Sequence, residues 1–191
     1  PVACDIRYEQ TLDTGGRELM EGVEVPQVTG SLSAEGGQTV TLDAKALGML
    51  DDDTVFAGWF DAATGERVCE SPVYEFAAAG DATLQARFSL KEVGVRINPA
   101  QTTDHSEAYA HLQVDAANCY RNVGETVPLS ATLDNAQFVG WYAADGDDSM
   151  AISDQATCEY QVAKPANESA QIEITPWYSA IPASVVLSVA G

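Results

Sequence analysis

Apolar and polar residues alternate through much of this chain with the period of two that places one face of a strand against a core. Val2, Cys4, Ile6 and Tyr8 alternate with Ala3, Asp5, Arg7 and Glu9. Val93, Val95 and Ile97 do the same against Gly94, Arg96 and Asn98, and Val185, Leu187 and Val189 begin the pattern a third time. Ile6, Val95 and Leu187 lie about 90 residues apart, which sets an expected module length. Residues 39–42 and 126–129 read as strands entered through a glycine turn. Residues 56–60 and 138–142 read as aromatic strands whose inner glycine allows a bulge or a close backbone approach. Residues 74–76 and 160–162 read as short strands, and residues 84–89 match residues 174–179 as a closing strand. The only helix expected is a single turn over residues 45–50, ahead of Asp51, Asp52 and Asp53.

These elements form one phrase written twice. Gly37-Gln38-Thr39-Val40-Thr41-Leu42-Asp43-Ala44 leads to Phe56-Ala57-Gly58-Trp59-Phe60, and Gly124-Glu125-Thr126-Val127-Pro128-Leu129-Ser130-Ala131 leads to Phe138-Val139-Gly140-Trp141-Tyr142. The shared pattern is G-x-T-V-x-L-x-A, a connector of eleven residues in the first copy and six in the second, then F-x-G-W-[FY]. An internal repeat means that each half is to be read as a module of an array. The expected boundaries are 1–89 and 90–180, with 181–191 as the first strand of a truncated third module or a C-terminal strand. The expected fold class is mostly β, two tandem modules with little helix.

The order G-x-T-V-x-L-x-A, F-x-G-W-[FY], [YF], A-x-[FY] resembles the divergent internalin-type B-repeat family, also called Listeria–Bacteroides repeats. The likeness covers about 37–88 and 124–178. Residues 11–35 and 100–122 have no place in the shorter family pattern, and each stretch is a candidate extra hairpin. The resemblance implies β-grasp-like modules strung along a secreted or cell-wall-attached bacterial surface protein, acting as a stalk or adhesive array. Neighbouring modules of the same chain would be its first partners. The family brings no catalytic residues to carry over. Its aromatic signature implies a structural core of Phe56, Trp59, Phe60, Phe138, Trp141 and Tyr142.

Composition narrows the function classes. The chain has 191 residues, enough for two small domains. Its 29 acidic residues against 9 basic ones give a formal net charge of −20, which argues against a nucleic-acid backbone or an anionic lipid surface as partner. A solubilising surface or a cationic partner remains. No apolar run is long enough to span a bilayer. The chain begins at Pro1 rather than Met, which reads as a piece of a longer extracellular protein.

Several residues carry candidate chemistry. Trp177 stands where the first module has Arg87, on the polar face of the closing strand, with Ile172, Ile174, Pro176 and Tyr178 on the other face. It is the candidate for inter-module or ligand contact, with a glycan or a host protein as possible partner. Cys4, Cys69, Cys119 and Cys158 fall two per module and are compatible with Cys4–Cys69 and Cys119–Cys158 disulfides, or with buried thiols. The acidic clusters at 51–53 and at Asp145, Asp147 and Asp148 lack a calcium-loop continuation and read as solvated turns. His105 and His111 have no counterpart in the first module. Neither a metal, a cofactor nor an active site is expected. The alternatives to a stalk are a glycan- or host-protein-binding module and an accessory domain of a larger extracellular enzyme.

Overall fold

The computed structural model describes residues 2–103, 114–132, 136–145 and 148–180. All regular structure among them is strand. The chain divides into two units, Pro1–Glu92 and Val93–Gly191. The division falls after Glu92 rather than after Ser89 because the closing strand runs on to Leu90, whose side chain is buried, and Lys91 N–H donates to Asp53 O at 3.0 Å. His105, His111, Asp147 and residues 181–191 lie outside the described residues.

The first unit contains β1 (Ala3–Asp13), β2 (Thr29–Glu35), β3 (Thr39–Asp43), β4 (Thr54–Asp61), β5 (Arg67–Cys69), β6 (Val73–Ala77) and β7 (Ala82–Leu90). Five of these form a mixed sheet in the order β2-β1-β7-β4-β5, and β3 pairs with β6 as a separate ribbon. The central pair, β1 with β7, is parallel, and its neighbours are antiparallel. Alternation places Cys4 and Ile6 of β1, Leu84, Ala86 and Phe88 of β7 and Trp59 of β4 on the inner face. Val40 and Leu42 of the ribbon close over them.

The second unit contains β8 (Val93–Ile97), β9 (Gln101–Thr102), β10 (Cys119–Arg121), β11 (Thr126–Ser130), β12 (Ala136–Asp145), β13 (Asp148–Ser153), β14 (Thr157–Gln161) and β15 (Gln171–Ala180). Its main path is β10-β8-β15-β12-β13, with β9 pairing β15, and β11 pairs with β14. Matching β8 with β1, β10 with β2, β12 with β4, β13 with β5 and β15 with β7 gives the same strand order in both units. The β8–β15 pair is again parallel. The stretches with no place in the repeated phrase supply the strand beside the parallel pair, β2 in one unit and β10 in the other.

F-x-G-W presents a parity problem that a bulge solves. Phenylalanine and tryptophan are three positions apart, so in a regular strand they would point to opposite faces. In β4 Phe56 opposes Phe88 and Gly58 opposes Arg87, leaving Ala57 as an extra residue. In β12 Phe138 opposes Tyr178 and Gly140 opposes Trp177, leaving Val139 extra. The inserted residue turns both aromatics inward. Their rings meet at 6.2 Å for Phe56–Trp59 and 5.8 Å for Phe138–Trp141.

One carbonyl then ties the two halves of the phrase together. Trp59 Nε1 donates to Pro72 O at 3.1 Å, and Ala44 N donates to the same oxygen at 3.0 Å. In the second unit Trp141 Nε1 and Ala131 N both donate to Ala156 O, at 3.2 and 3.0 Å. The glycine that opens the phrase is fixed equivalently: Gly37 N donates to Ala78 O and Gly124 N to Val162 O, each at 2.8 Å, with φ of 85° and 89°.

The expected helical turn is a hydrogen-bonded turn rather than a helix. Asp43 Oδ1 accepts from Lys45 N and Ala46 N, capping its start. Gly48, at φ 73°, ends it, with Gly48 N donating to Lys45 O and Met49 N to Ala44 O. That is a two-bond glycine C-cap, and it leaves the following Met49 fully buried. Both caps meet within one turn, so no helix can propagate.

Candidate functional site

The outer face of each main sheet carries the residues that the shared phrase does not use for its core. Phe60 and Tyr142 belong there, which corrects their expected place in the core. Each follows an inward tryptophan by one position, so alternation turns it outward, and both are half-buried. Phe56, Trp59, Phe138 and Trp141 do pack in or against the two cores.

In the first unit this outer face is filled by its own side chains. Arg87 lies over the Phe60 ring at 4.1 Å from its centroid. Arg87 Nη2 and Nε donate to Gln85 Oε1 at 3.0 and 3.3 Å, and Gln85 Nε2 donates to Glu9 Oε1 at 2.7 Å. Arg67, opposite Phe60 on β5, covers Gly58 so closely that a Cβ there would meet its Cδ at 2.8 Å.

In the second unit the same positions are aromatic and small. Trp177 takes the place of Arg87, and Ala151, opposite Tyr142 on β13, takes the place of Arg67. Tyr142 leans against Gly140, its Cε2 3.2 Å from where a Cβ would stand. Trp177, Tyr142, Val139 and Thr103 line an open groove of about 250 Å³. None of the four carries a charge. Trp59 and Trp141 bind backbone carbonyls through their indole N–H groups, whereas Trp177 has no such bond among the described residues. The sequence singled out Trp177 by its mismatch with Arg87, but it gave no sign of Val139 and Thr103. Val139 is the unpaired residue of the bulge, and Thr103 is brought in by the parallel pairing of β9 with β15.

A polar cleft of about 340 Å³ lies in the first unit between Asp5, Arg7, Asp61, Ala63, Asp81, Ala82 and Thr83. Its carboxylates lock the backbone. Asp61 Oδ1 accepts from Ala63 N and Thr64 N at 2.8 and 2.9 Å, which holds its carboxyl below the usual range. Asp81 Oδ1 accepts from Asp5 N, and Asp5 Oδ2 from Arg7 Nε. In the 51–53 cluster Asp51 Oδ1 accepts from Asp53 N, the geometry of a turn. Among the described residues no group of three or more His, Cys, Asp or Glu side chains is placed to hold a metal ion.

All four cysteines are free thiols. Cys4 on β1 and Cys69 on β5 are separated by β7 and β4, a span of about 14 Å at the usual strand spacing, twice what a disulfide bridges. Cys119 on β10 and Cys158 on β14 belong to different sheets. The expected pairings are therefore not formed. Without reductant, denatured protein should take up four equivalents of an alkylating agent by intact mass. In the native state Cys69 and Cys158, which are half-buried, should react before the buried Cys4 and Cys119. A denatured adduct of fewer than four equivalents would contradict the free-thiol assignment.

Tyr178 is the second unit's counterpart of Phe88 and is fully buried, and its hydroxyl has no hydrogen-bond partner among the described residues. Burial pushes its pKa up to about 12. Tyr178→Phe should stabilise the second unit by about 1 kcal/mol, because an unpaired buried hydroxyl costs that order. Chemical denaturation checks this, and a loss of more than about 1 kcal/mol would mean that the hydroxyl is paired.

Searches against protein-family models, curated proteins and solved structures each found no match to this chain.

Proposed function

We propose that the chain is a pair of β-grasp-like spacer modules from a secreted or cell-wall-attached bacterial surface protein, akin to the internalin-type B-repeats and without catalytic activity of its own. Support comes from what the repeated residues do. In both units the glycine, the alanine, the phenylalanine and the tryptophan of the shared phrase are engaged in backbone hydrogen bonds or core packing. Of the side chains that the phrase turns outward, Thr39 and Thr126 are the same in both units, whereas Thr41 and Pro128 differ, as do Phe60 and Tyr142, so the outer face as a whole is not repeated. The common strand order, with its central parallel pair and a crossover bearing β3 or β11 where a grasp carries its helix, supports the finer fold assignment. The net charge of −20 would keep neighbouring copies soluble and apart.

The single observation that carries the reading is the doubled knot on Pro72 O and Ala156 O, which uses the signature residues for folding alone. A display experiment tests it. A reporter domain carried outward on one, two or four tandem copies of the chain on a cell surface should become steadily more accessible to a bulky antibody. Accessibility independent of copy number would remove the spacer function.

A further inference from the structure

We propose that the groove formed by Trp177, Tyr142, Val139 and Thr103 is a subsite for one uncharged sugar ring, present in the second unit and closed in the first. Three observations converge on that ligand class. The two units share strand order and bulges, yet two substitutions at matched positions change the outer face from filled to open. Arg87 gives way to Trp177, and Arg67 gives way to Ala151. The first unit places a guanidinium over its aromatic ring and links it to Gln85 and Glu9, so the ring face that the second unit leaves open is covered there. The second unit has an open groove between two aromatic side chains.

Chemistry selects the guest. An indole and a phenol present flat apolar faces with polar edges, and they suit a partner that is apolar on one face and hydroxylated at its rim. The indole N–H of Trp177, the phenol of Tyr142 and the hydroxyl of Thr103 are available as hydrogen-bonding groups for such a rim. Among the described residues no charged side chain lines the groove, and the chain carries −20 overall, so a sulfated or uronic-acid ring would meet net repulsion. A volume of about 250 Å³ lies below the range usual for drug-sized ligands, as expected for a single ring of a longer chain rather than a buried molecule.

The test is titration of the intact two-unit chain with neutral hexasaccharides of β-1,4-glucose, β-1,4-N-acetylglucosamine and α-linked mannose, with heparin as the anionic comparator. Tryptophan fluorescence and calorimetry report binding. At least one neutral hexasaccharide should bind saturably and heparin should not. Trp177→Ala should weaken that binding about tenfold or more, the equivalent of about 1.4 kcal/mol. Ala151→Arg, which returns the first unit's cation to the matched position and keeps both aromatics, should abolish it. The two variants should keep the circular dichroism spectrum of the parent, and agreement between them separates groove loss from misfolding. Absence of binding by every neutral sugar at millimolar concentration overturns the proposal, as does binding unaffected by either variant. Binding of heparin alone does so too, and so does self-association abolished by Trp177→Ala, which would assign the groove to a second copy of the chain.

Discussion

Replacing Trp59 by alanine should strongly destabilise the first unit and leave the second intact, and Trp141→Ala should do the reverse. Both indoles are fully buried at the centre of their cores. Truncating a buried tryptophan costs about 3–5 kcal/mol through lost transfer energy and the cavity left behind. Small domains have only about 5–15 kcal/mol to lose. The hydrogen bond adds a smaller term, because Pro72 O and Ala156 O keep their second donors, Ala44 N and Ala131 N. Calorimetry of the intact chain should therefore show one of two transitions displaced strongly downward or lost, with the other within about 0.5 kcal/mol of its parent value. Two transitions that moved together would show that the units do not fold independently. A shift below about 1 kcal/mol would show that the core is not organised around the indole.

The second large effect separates two residues that the sequence writes identically. Gly58→Ala should cost about 3 kcal/mol or more, and Gly140→Ala about 1 kcal/mol. Gly58 has a φ of 134°, a conformation that side-chain-bearing residues rarely adopt, and a Cβ there would meet Cys69 O at 2.8 Å. Backbone cannot move aside without breaking the β4–β5 pairing. At Gly140 the nearest atoms are Ser153 O at 3.1 Å and the Tyr142 ring at 3.2 Å. The ring can rotate away. Urea denaturation of both variants measures the difference, and equal losses would refute the strain at Gly58. Gly140→Ala should also displace Tyr142, so it offers a mild perturbation of the groove in a folded protein.

Much of the fold was legible because a period of two is hard to imitate by accident. The strands at 39–42, 56–60, 84–89 and 126–129 all fall within β3, β4, β7 and β11. Where the reading failed, the cause was parity. Treating F-x-G-W-[FY] as one aromatic block placed Phe60 and Tyr142 inside, whereas the bulge at Ala57 and Val139 restores alternation with tryptophan inward and its successor outward. A glycine signals that a bulge is allowed but does not say which neighbour is the extra residue. Cysteine pairing failed for a different reason. Two cysteines per module suggests a bridge, but strand order decides distance, and β1 and β5 are neighbours neither in sequence nor in the sheet. At the groove, Trp177 was visible as a mismatch between copies. Thr103 was not, because it follows β9 in a stretch outside the repeated phrase, and Tyr142 and Val139 could be placed beside it only once the bulge was known.

The shared acceptor at Pro72 O and Ala156 O has a consequence for how this architecture tolerates change. Since Ala44 and Trp59 are fastened to the same atom, as are Ala131 and Trp141, the chain between each pair is a closed loop with anchored ends. Fourteen residues separate Ala44 from Trp59, and nine separate Ala131 from Trp141. Doubling such a loop adds only about 0.6 kcal/mol of closure entropy. The first copy thus offers a permissive insertion point at the exposed turn around Asp52, beyond the buried Met49 and beside an unyielding frame.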